Sequence, residues 1–458
     1  MDRWHKFQGY DGVEIIYDTE TMLFFSAPPD LDEAVIARQI DAVTKRNGKP
    51  SQQPLTFVTP NRAPEIRFSA KPELERLVFI VTTNCNLKCT YCYADGGSYG
   101  MPTLDMSEDI ARRAVEWVYD QFSVVHTIQF FGGEPTLNPQ IVDYVCNTIE
   151  TYVEEHDIPF PPRYGLVTNG THMTPQMEDV IRRHHIGVTF SIDGPEIVHN
   201  IHRINKGGRG TYSETVKAFR RLREYGDVFL GVEMTLTPQA LDKGYGVWEL
   251  LEFADQALGL QEAHIVPVSA EPGSSLSWDE EHGEKLVESF REATHRCLAS
   301  IAYEGKYRGF SLLTEILRSL ILKQPRELIC PAGSHTIAVD PWGFLYPCFM
   351  FAGEASMRMG NVLRFRPERF NQSLNEFMHF NYKSNHPSCT SCWAYKLCKG
   401  CMGNVWTTQK RLDSEWGLMC RVIKAVSEEI MRFLADLQRQ PTHWTHFVHA
   451  YKQLRLAA

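Results

Sequence analysis

Apolar residues in this 458-residue chain recur with two periods, and the switches between them mark out the elements. Residues 13–25 alternate and cluster β-formers around Asp18-Thr19-Glu20-Thr21, which predicts a hairpin. Pro28-Pro29 breaks it. Asp30 then caps a predicted helix that runs through Ile40 and Val43, with Glu33 placed for a capping box. The stretch 48–72 is rich in Pro, Gln and Asn and reads as a connector. Residues 1–72 therefore form a small appended α+β module. From Leu77 the pattern becomes strand, loop, helix, repeated, with strands predicted at 77–82, 127–131, 164–168, 187–192, 229–236 and 263–268. Helix starts are legible between them. Ser107 precedes Ile110, Ala114, Trp117 and Val118, and Thr174-Pro175 opens a helix carrying Met177 and Ile181, with proline at its first position. Six such units predict an α/β fold with a parallel sheet and right-handed crossovers. A doubly wound sheet and a partial barrel both satisfy that pattern. Residues 276–328 predict bridging helices near 286–301 and 312–322. A loop-rich region, a helix at 422–437 and a tail complete the chain.

Composition narrows the class. Apolar content of 43% and charged content of 22% are ordinary for a globular protein, and a net charge of -9 argues against a protein that tracks nucleic-acid phosphates. The first residues lack an apolar signal core, and no apolar run is long enough to span a bilayer, so a cytoplasmic enzyme is expected. Twelve cysteines without a secretion signal point to metal ligation rather than disulfides. Cys146 and Cys297 stand apart from the rest on apolar helix faces and are expected to be buried core thiols.

The chemistry concentrates at Cys85, Cys89 and Cys92, within Thr83-Asn84-Cys85-Asn86-Leu87-Lys88-Cys89-Thr90-Tyr91-Cys92-Tyr93. Three thiolates from one loop leave one iron of a cubane 4Fe–4S cluster without a protein ligand. Such an iron can chelate an amine and a carboxylate, and electron transfer through it can break a nearby C–S bond. An incomplete zinc site or three buried thiols is the plainer alternative. The motif, with Tyr91 just before its third cysteine, resembles the signature of the radical S-adenosylmethionine (SAM) superfamily. That resemblance implies a partial (β/α)6 barrel over residues 73–275, with the cysteine loop at the carboxyl ends of the strands. It also implies a SAM-binding 4Fe–4S cluster. No catalytic side chain is named, because hydrogen abstraction falls to the SAM-derived radical.

Further motifs follow the predicted strands in order. Gly132-Gly133-Glu134-Pro135 follows the second; its glycines permit close approach and Glu134 offers an acceptor for a cation. Alone it would be a tight turn. The family's motif of this kind holds the SAM amino group, and the resemblance carries that role to these four residues. Thr168-Asn169-Gly170-Thr171 ends the third strand and Ser191-Ile192-Asp193-Gly194-Pro195 the fourth, where hydroxyl, amide and carboxylate groups suit ribose and carboxylate recognition. Arg203 suits a carboxylate through its bidentate fork. The segment resembles the SxDGxxxxHxxxR pattern of peptide-modifying radical SAM enzymes, which implies that Asn169, Ser191, Asp193 and Arg203 contact SAM. His199 and His202 are expected on a solvated face.

Seven cysteines lie between 330 and 420. Cys330, Gly343 and Cys348, then Cys389-x2-Cys392-x5-Cys398-x2-Cys401 and Cys420, resemble the SPASM extension, expected over residues 329–425 with a helix and tail at 426–458. The family usually has three residues between its third and fourth central cysteines; here there are two, Lys399 and Gly400. Paired C-x2-C knuckles also suit zinc. Following the family's interleaved pattern, Cys389, Cys392, Cys398 and Cys420 would hold one auxiliary 4Fe–4S cluster, and Cys330, Cys348 and Cys401 another with three thiolates and one exposed iron. The run Cys392-Trp393-Ala394 to Leu397-Cys398 resembles sactipeptide and ranthipeptide maturases. The resemblance thus implies three clusters, SAM, and a Cys-to-carbon thioether installed in a ribosomally made precursor peptide. Residues 1–72 resemble the leader-recognition element (RRE) of such enzymes, which binds a leader by strand addition. Carbon–carbon cross-linking, epimerisation and sulfatase maturation are the alternatives within the superfamily, and a zinc-dependent peptide-binding scaffold is the alternative outside it. A flavodoxin or ferredoxin reductant is expected, with no nucleic acid or membrane partner.

Overall fold

The computed structural model describes residues 2–27, 35, 36, 38, 71–413 and 417–457. Of the helix predicted from Asp30, residues 35, 36 and 38 are described and are helical, while its other residues and most of the connector at 48–72 lie outside the described residues. The hairpin is present: β2 (Glu14–Asp18) pairs antiparallel with β3 (Phe24–Ala27), Tyr17 facing Phe24. A further strand, β1 (Trp4–Gln8), joins the other side of β2. It escaped the sequence reading because its apolar residues, Trp4 and Phe7, point to opposite faces and so break the two-residue period. Trp4 packs with Ile16, Ala27 and Ile36 on one face of this sheet, while Phe7, Tyr17 and Met22 pack into the main core on the other.

The six predicted strands are β4 (Glu73–Thr82), β5 (Val124–Gly132), β6 (Arg163–Thr168), β7 (Gly187–Ser191), β8 (Leu230–Leu236) and β9 (Glu262–Pro267). They lie side by side in sequence order, every neighbouring pair parallel. That order resolves the ambiguity left by the periodicity, because a doubly wound sheet reverses direction at a switch point and this one does not. A short parallel strand, β10 (Gly309–Phe310), extends the β9 edge. On the far side β4 pairs in parallel with β11 (Thr336–Val339), followed antiparallel by β12 (Phe344–Tyr346) and β13 (Gly360–Asn361). The beginning of the cysteine-rich region is thus built directly onto the first barrel strand.

Helices start where their caps dictate. Ser107 accepts from Ile110 N–H at 3.3 Å and Thr174 from Met177 N–H at 3.2 Å, each satisfying an orphan donor of the first turn. Helix Glu108–Gln121 buries Ile110, Ala114, Trp117 and Val118 against the sheet. The bridging helices are Glu280–Ala299 and Ser311–Leu322, and the final predicted helix is Leu418–Leu437. The expected tail is instead a helix, Pro441–Ala457, whose Trp444, Phe447 and Tyr451 pack on the core. Three histidines at 443, 446 and 449 interrupt that apolar stripe and hide it from a hydropathy reading. Cys146 and Cys297 are fully buried, as expected of core thiols. No described helix is long and apolar enough to cross a membrane.

Candidate functional site

The parallel register slips between Ile80 and Thr82, and the cysteine loop leaves the sheet at that point. The Gly132–Pro135 turn docks onto its first residues, with Gly133 N–H donating to Thr82 O and Glu134 N–H to Asn84 O, each at 2.9 Å. The glycines are required for this docking. A Cβ on Gly132, whose φ is +144°, would lie 2.4 Å from Thr82 O, and one on Gly133 would lie 2.2 Å from Asn84 O. The close approach expected for a ligand is therefore made by the cysteine loop's own backbone. On its other side the loop is tied to residues 202–205, through Lys88 N–H to Ile204 O at 2.8 Å and Thr90 N–H to His202 O at 3.1 Å.

Glu134 joins two strand ends. Its buried carboxylate accepts from Thr136 N–H (3.1 Å) and from the hydroxyls of Thr136 (2.8 Å) and Thr168 (2.6 Å) on Oε1, and from Asn169 N–H (2.7 Å) on Oε2. Burial raises its pKa, and these four donors oppose the rise. One oxygen carries three bonds and the other one, so acceptor capacity toward a cation remains on Oε2. Buried Pro135 heads the short 3-10 turn that follows. Asn169 reaches the first cysteine, its amide lying 3.9 Å from Cys85 Sγ and 3.0 Å from Asn86 Oδ1.

Asp193 and Arg203 meet one another. Arg203 Nε stands 3.0 Å from Asp193 Oδ1, a charge contact whose alignment falls short of a hydrogen bond. Asp193 also accepts from Tyr91 O–H at 2.5 Å and from Thr235 N–H at 3.0 Å. The Arg203 guanidinium lies 5.4 Å from the Tyr91 ring centre. Burial works against its charge, but Asp193, Tyr91 and Cys89 hold it protonated. The residue before the third cysteine is thus fixed by the pair expected to bind SAM. Ser191 is half-buried at the end of β7. The expectation of a solvated face for His199 and His202 is overturned, since both are buried. His199 bridges Asp193 N–H (3.4 Å) and Thr211 Oγ1 (3.1 Å), and His202 Nδ1 lies 2.7 Å from Thr90 Oγ1. Their short helix, Glu196–His202, turns that side toward the barrel because its partners are backbone and hydroxyl groups, which polarity patterning cannot show.

The ten candidate ligand cysteines gather in three groups. Cys89 and Cys92 lie within electrostatic range of Cys85, and Cys92 within range of Cys89; burial pushes Cys85 up to about 12 and Cys89 to about 11. Cys330, Cys348 and Cys401 are coupled in the same way, with burial pushing Cys330 and Cys348 up to about 12 and raising Cys401. Cys389, Cys392, Cys398 and Cys420 form the third group; burial raises Cys389 and pushes Cys398 up to about 12. All ten keep partial solvent access. Soft thiolate donors in threes and fours fit iron–sulfur clusters, whose iron ions would reverse the rise by binding the thiolates directly. Among the described residues no three His, Cys, Asp or Glu side chains close on a single metal ion.

Sequence reasoning missed several positioning groups. Tyr93 and Tyr99 lie in the electrostatic range of both Cys92 and Cys348, and Tyr99 O–H donates to Gly132 O at 3.3 Å. Gly97, at φ +93°, would bring a Cβ within 2.4 Å of Gly133 Cα. Lys383 is 1% exposed inside the cysteine-rich region; burial pushes its ammonium down to about 8 while Cys398, Cys389 and Glu327 pull the other way. Only the glycine run Gly96-Gly97 left a trace in the sequence.

A family model described as the Radical SAM superfamily matches residues 79–243. The chain is similar to the antilisterial bacteriocin subtilosin biosynthesis protein AlbA of Bacillus subtilis, 22% identical over 290 residues, or 62% of this chain and 56% of AlbA. It is similar to a cysteine-type anaerobic sulfatase-maturating enzyme of Clostridium novyi, 23% identical over 355 residues, or 72% of this chain and 88% of that enzyme. The chain thus spans just over half the length of the first relative and most of the second. Among solved structures, native anSMEcpe with bound AdoMet and Kp18Cys peptide matches with a TM-score of 0.67 at 18% identity, covering 81% of this chain and 100% of that one. That likeness is one of fold.

Proposed function

Because the chain belongs to the radical SAM superfamily through residues 79–243, we propose that it is a peptide maturase that installs Cys-to-carbon thioether cross-links in a ribosomally made precursor peptide. Membership implies SAM and a 4Fe–4S cluster. The chemistry they supply is reductive C–S cleavage of SAM followed by hydrogen abstraction from an unactivated carbon. Cys85, Cys89 and Cys92 are the residues to hold that cluster. The Glu134 clamp and the Asp193–Arg203–Tyr91 unit fix the loops on either side of it, and Asn169 and Ser191 face the same strand ends. Cys389, Cys392, Cys398 and Cys420 would hold one auxiliary cluster and Cys330, Cys348 and Cys401 the other.

The observation that carries the thioether reading is the three-thiol group. Cys330, Cys348 and Cys401 gather as a group of three, and Tyr93 and Tyr99 lie within electrostatic range of both Cys348 and Cys92. Three thiolates would ligate three of the four irons of a 4Fe–4S cluster, and a substrate thiolate would be a suitable fourth ligand. The likeness to AlbA, a bacteriocin biosynthesis protein, supports a peptide substrate. The N-terminal sheet supports leader recognition, with a flavodoxin or ferredoxin as reductant. A second reading, oxidation of a sulfatase residue, draws support from the longer match to the Clostridium enzyme. Against it, the solved anSMEcpe chain is covered in full by 81% of this chain, leaving the remainder without a counterpart there.

Co-expression with a short cysteine-bearing peptide encoded beside the gene separates the two. A thioether product loses the S–H and one C–H hydrogen while keeping its sulfur, and deuterium at the acceptor carbon moves to 5′-deoxyadenosine. Conversion of the cysteine to an aldehyde, with loss of sulfur, would replace the leading reading by the second.

A further inference from the structure

Lys383 is the one fully buried lysine side chain among the described residues, and nothing in the SAM site uses it. Its ammonium donates to three backbone carbonyls, Arg326 O at 2.8 Å, Tyr395 O at 2.8 Å and Cys398 O at 2.6 Å. An ammonium has three protons, so its donor capacity is exhausted. Two of those carbonyls belong to the loop running from Cys389 to Cys401, and the third to the segment before Cys330. The Tyr395 ring centre lies 5.4 Å from the ammonium. Tyr395 O–H is in turn held by Glu327 at 2.9 Å, and Lys383 N–H donates to Glu327 O at 3.1 Å. No carboxylate bonds the ammonium itself. The groups that face it are three carbonyl dipoles, the Cys389 and Cys398 thiols, and Glu327 and Arg326 at longer range. A buried cation bonded only to neutral groups is costly unless an anion completes its surroundings. A cluster ligated by four thiolates carries net negative charge and would be that anion.

We propose that Lys383 is the positioning residue of the Cys389/Cys392/Cys398/Cys420 site: it staples the ligand loop through three carbonyls and supplies the fixed positive charge that raises the reduction potential of the cluster held there. The inference rests on the iron–sulfur reading of those four cysteines. A cation beside a cluster favours the reduced, more negative state, and its field is strong because the surroundings are poorly solvated. Arg326 and Lys399 are half-buried and already paired with Glu315, so they cannot substitute for it.

The test uses the full chain, reconstituted anaerobically, with Lys383→Met, Lys383→Arg and the half-buried same-loop control Lys396→Met. Iron per chain and a potentiometric titration followed by electron paramagnetic resonance are the readouts. In Lys383→Met one of three cluster signals should move to lower potential by at least tenfold in its reduction equilibrium, about 59 mV for one electron, or that cluster should be lost while the other two remain. Lys383→Arg should restore it, and Lys396→Met should match the parent. Three signals at unchanged potential in Lys383→Met would overturn the proposal, as would equal loss in Lys383→Met and Lys383→Arg. Iron-free parent protein that takes up zinc would instead remove the iron–sulfur reading, and the proposal with it.

Discussion

At the scale of single residues, the site depends on close approaches that only particular side chains permit. Gly133→Ala places a methyl group against Asn84 O and forces the cysteine loop off the Gly132–Pro135 turn. If the proposed three clusters form, iron bound to the purified variant should fall by about a third, and SAM cleavage should be lost. Full loading with normal cleavage would show that the loop tolerates the shift. Cys89→Ala should likewise abolish SAM cleavage, whereas Cys348→Ala should retain part of it while yielding no cross-linked peptide by mass spectrometry. His199 gives a pH test. Burial lowers its pKa from 6.5 to about 4, so between those values the unfolded chain binds the extra proton. Its contribution to stability is therefore complete above about pH 6.5 and disappears as pH falls toward 4. Denaturant titrations should show parent stability falling over that window by roughly 2–3 kcal/mol more than His199→Asn; parallel curves would exclude a buried neutral imidazole. The cysteines, glycines and Glu134 were legible because their spacing is dictated by chemistry. His199, His202 and Lys383 were not, because their partners are backbone carbonyls, backbone amides and hydroxyls contributed by distant segments.

At the scale of elements, the barrel strands and their helices were readable because each apolar run is short, bounded and followed by a cap. Ser107→Ala removes the bond to Ile110 N–H and should cost about 1 kcal/mol in chemical denaturation, with no change in iron content. What escaped notice depends on a second surface. β1 divides its apolar residues between two faces, and Pro441–Ala457 mixes aromatic residues with histidines. β10 to β13 are two to four residues long and hold their places through pairing. The N-terminal sheet is anchored to the cysteine-rich region. The His5 ring stacks on Trp393 at 3.9 Å between centres, and His5 Nε2 lies 2.9 Å from Glu428. Trp393 directly follows Cys392, and Cys420 lies on the helix that carries Glu428, so two candidate ligands flank this contact.

At the scale of the molecule, the three cysteine groups lie on a scaffold that is structurally continuous. β11, in the cysteine-rich region, pairs with Arg76–Phe79 of β4, and the first cysteine loop leaves the same strand after Thr82. The helix Leu418–Leu437 packs along Glu280–Ala299 and receives the N-terminal sheet, with Arg432 donating to Gln8 O at 2.8 Å. Disturbing the auxiliary region should therefore be felt in the barrel, and removal of iron by a chelator should lower the thermal midpoint of the whole chain in one cooperative transition. Separate transitions would show that the regions unfold independently.

The most direct measurement is anaerobic reconstitution with iron and sulfide, followed by dithionite and SAM. The chain should take up about twelve irons, absorb near roughly 400 nm as sulfide-bridged iron does, and release 5′-deoxyadenosine. A colourless, zinc-loaded protein that leaves SAM intact would contradict the account.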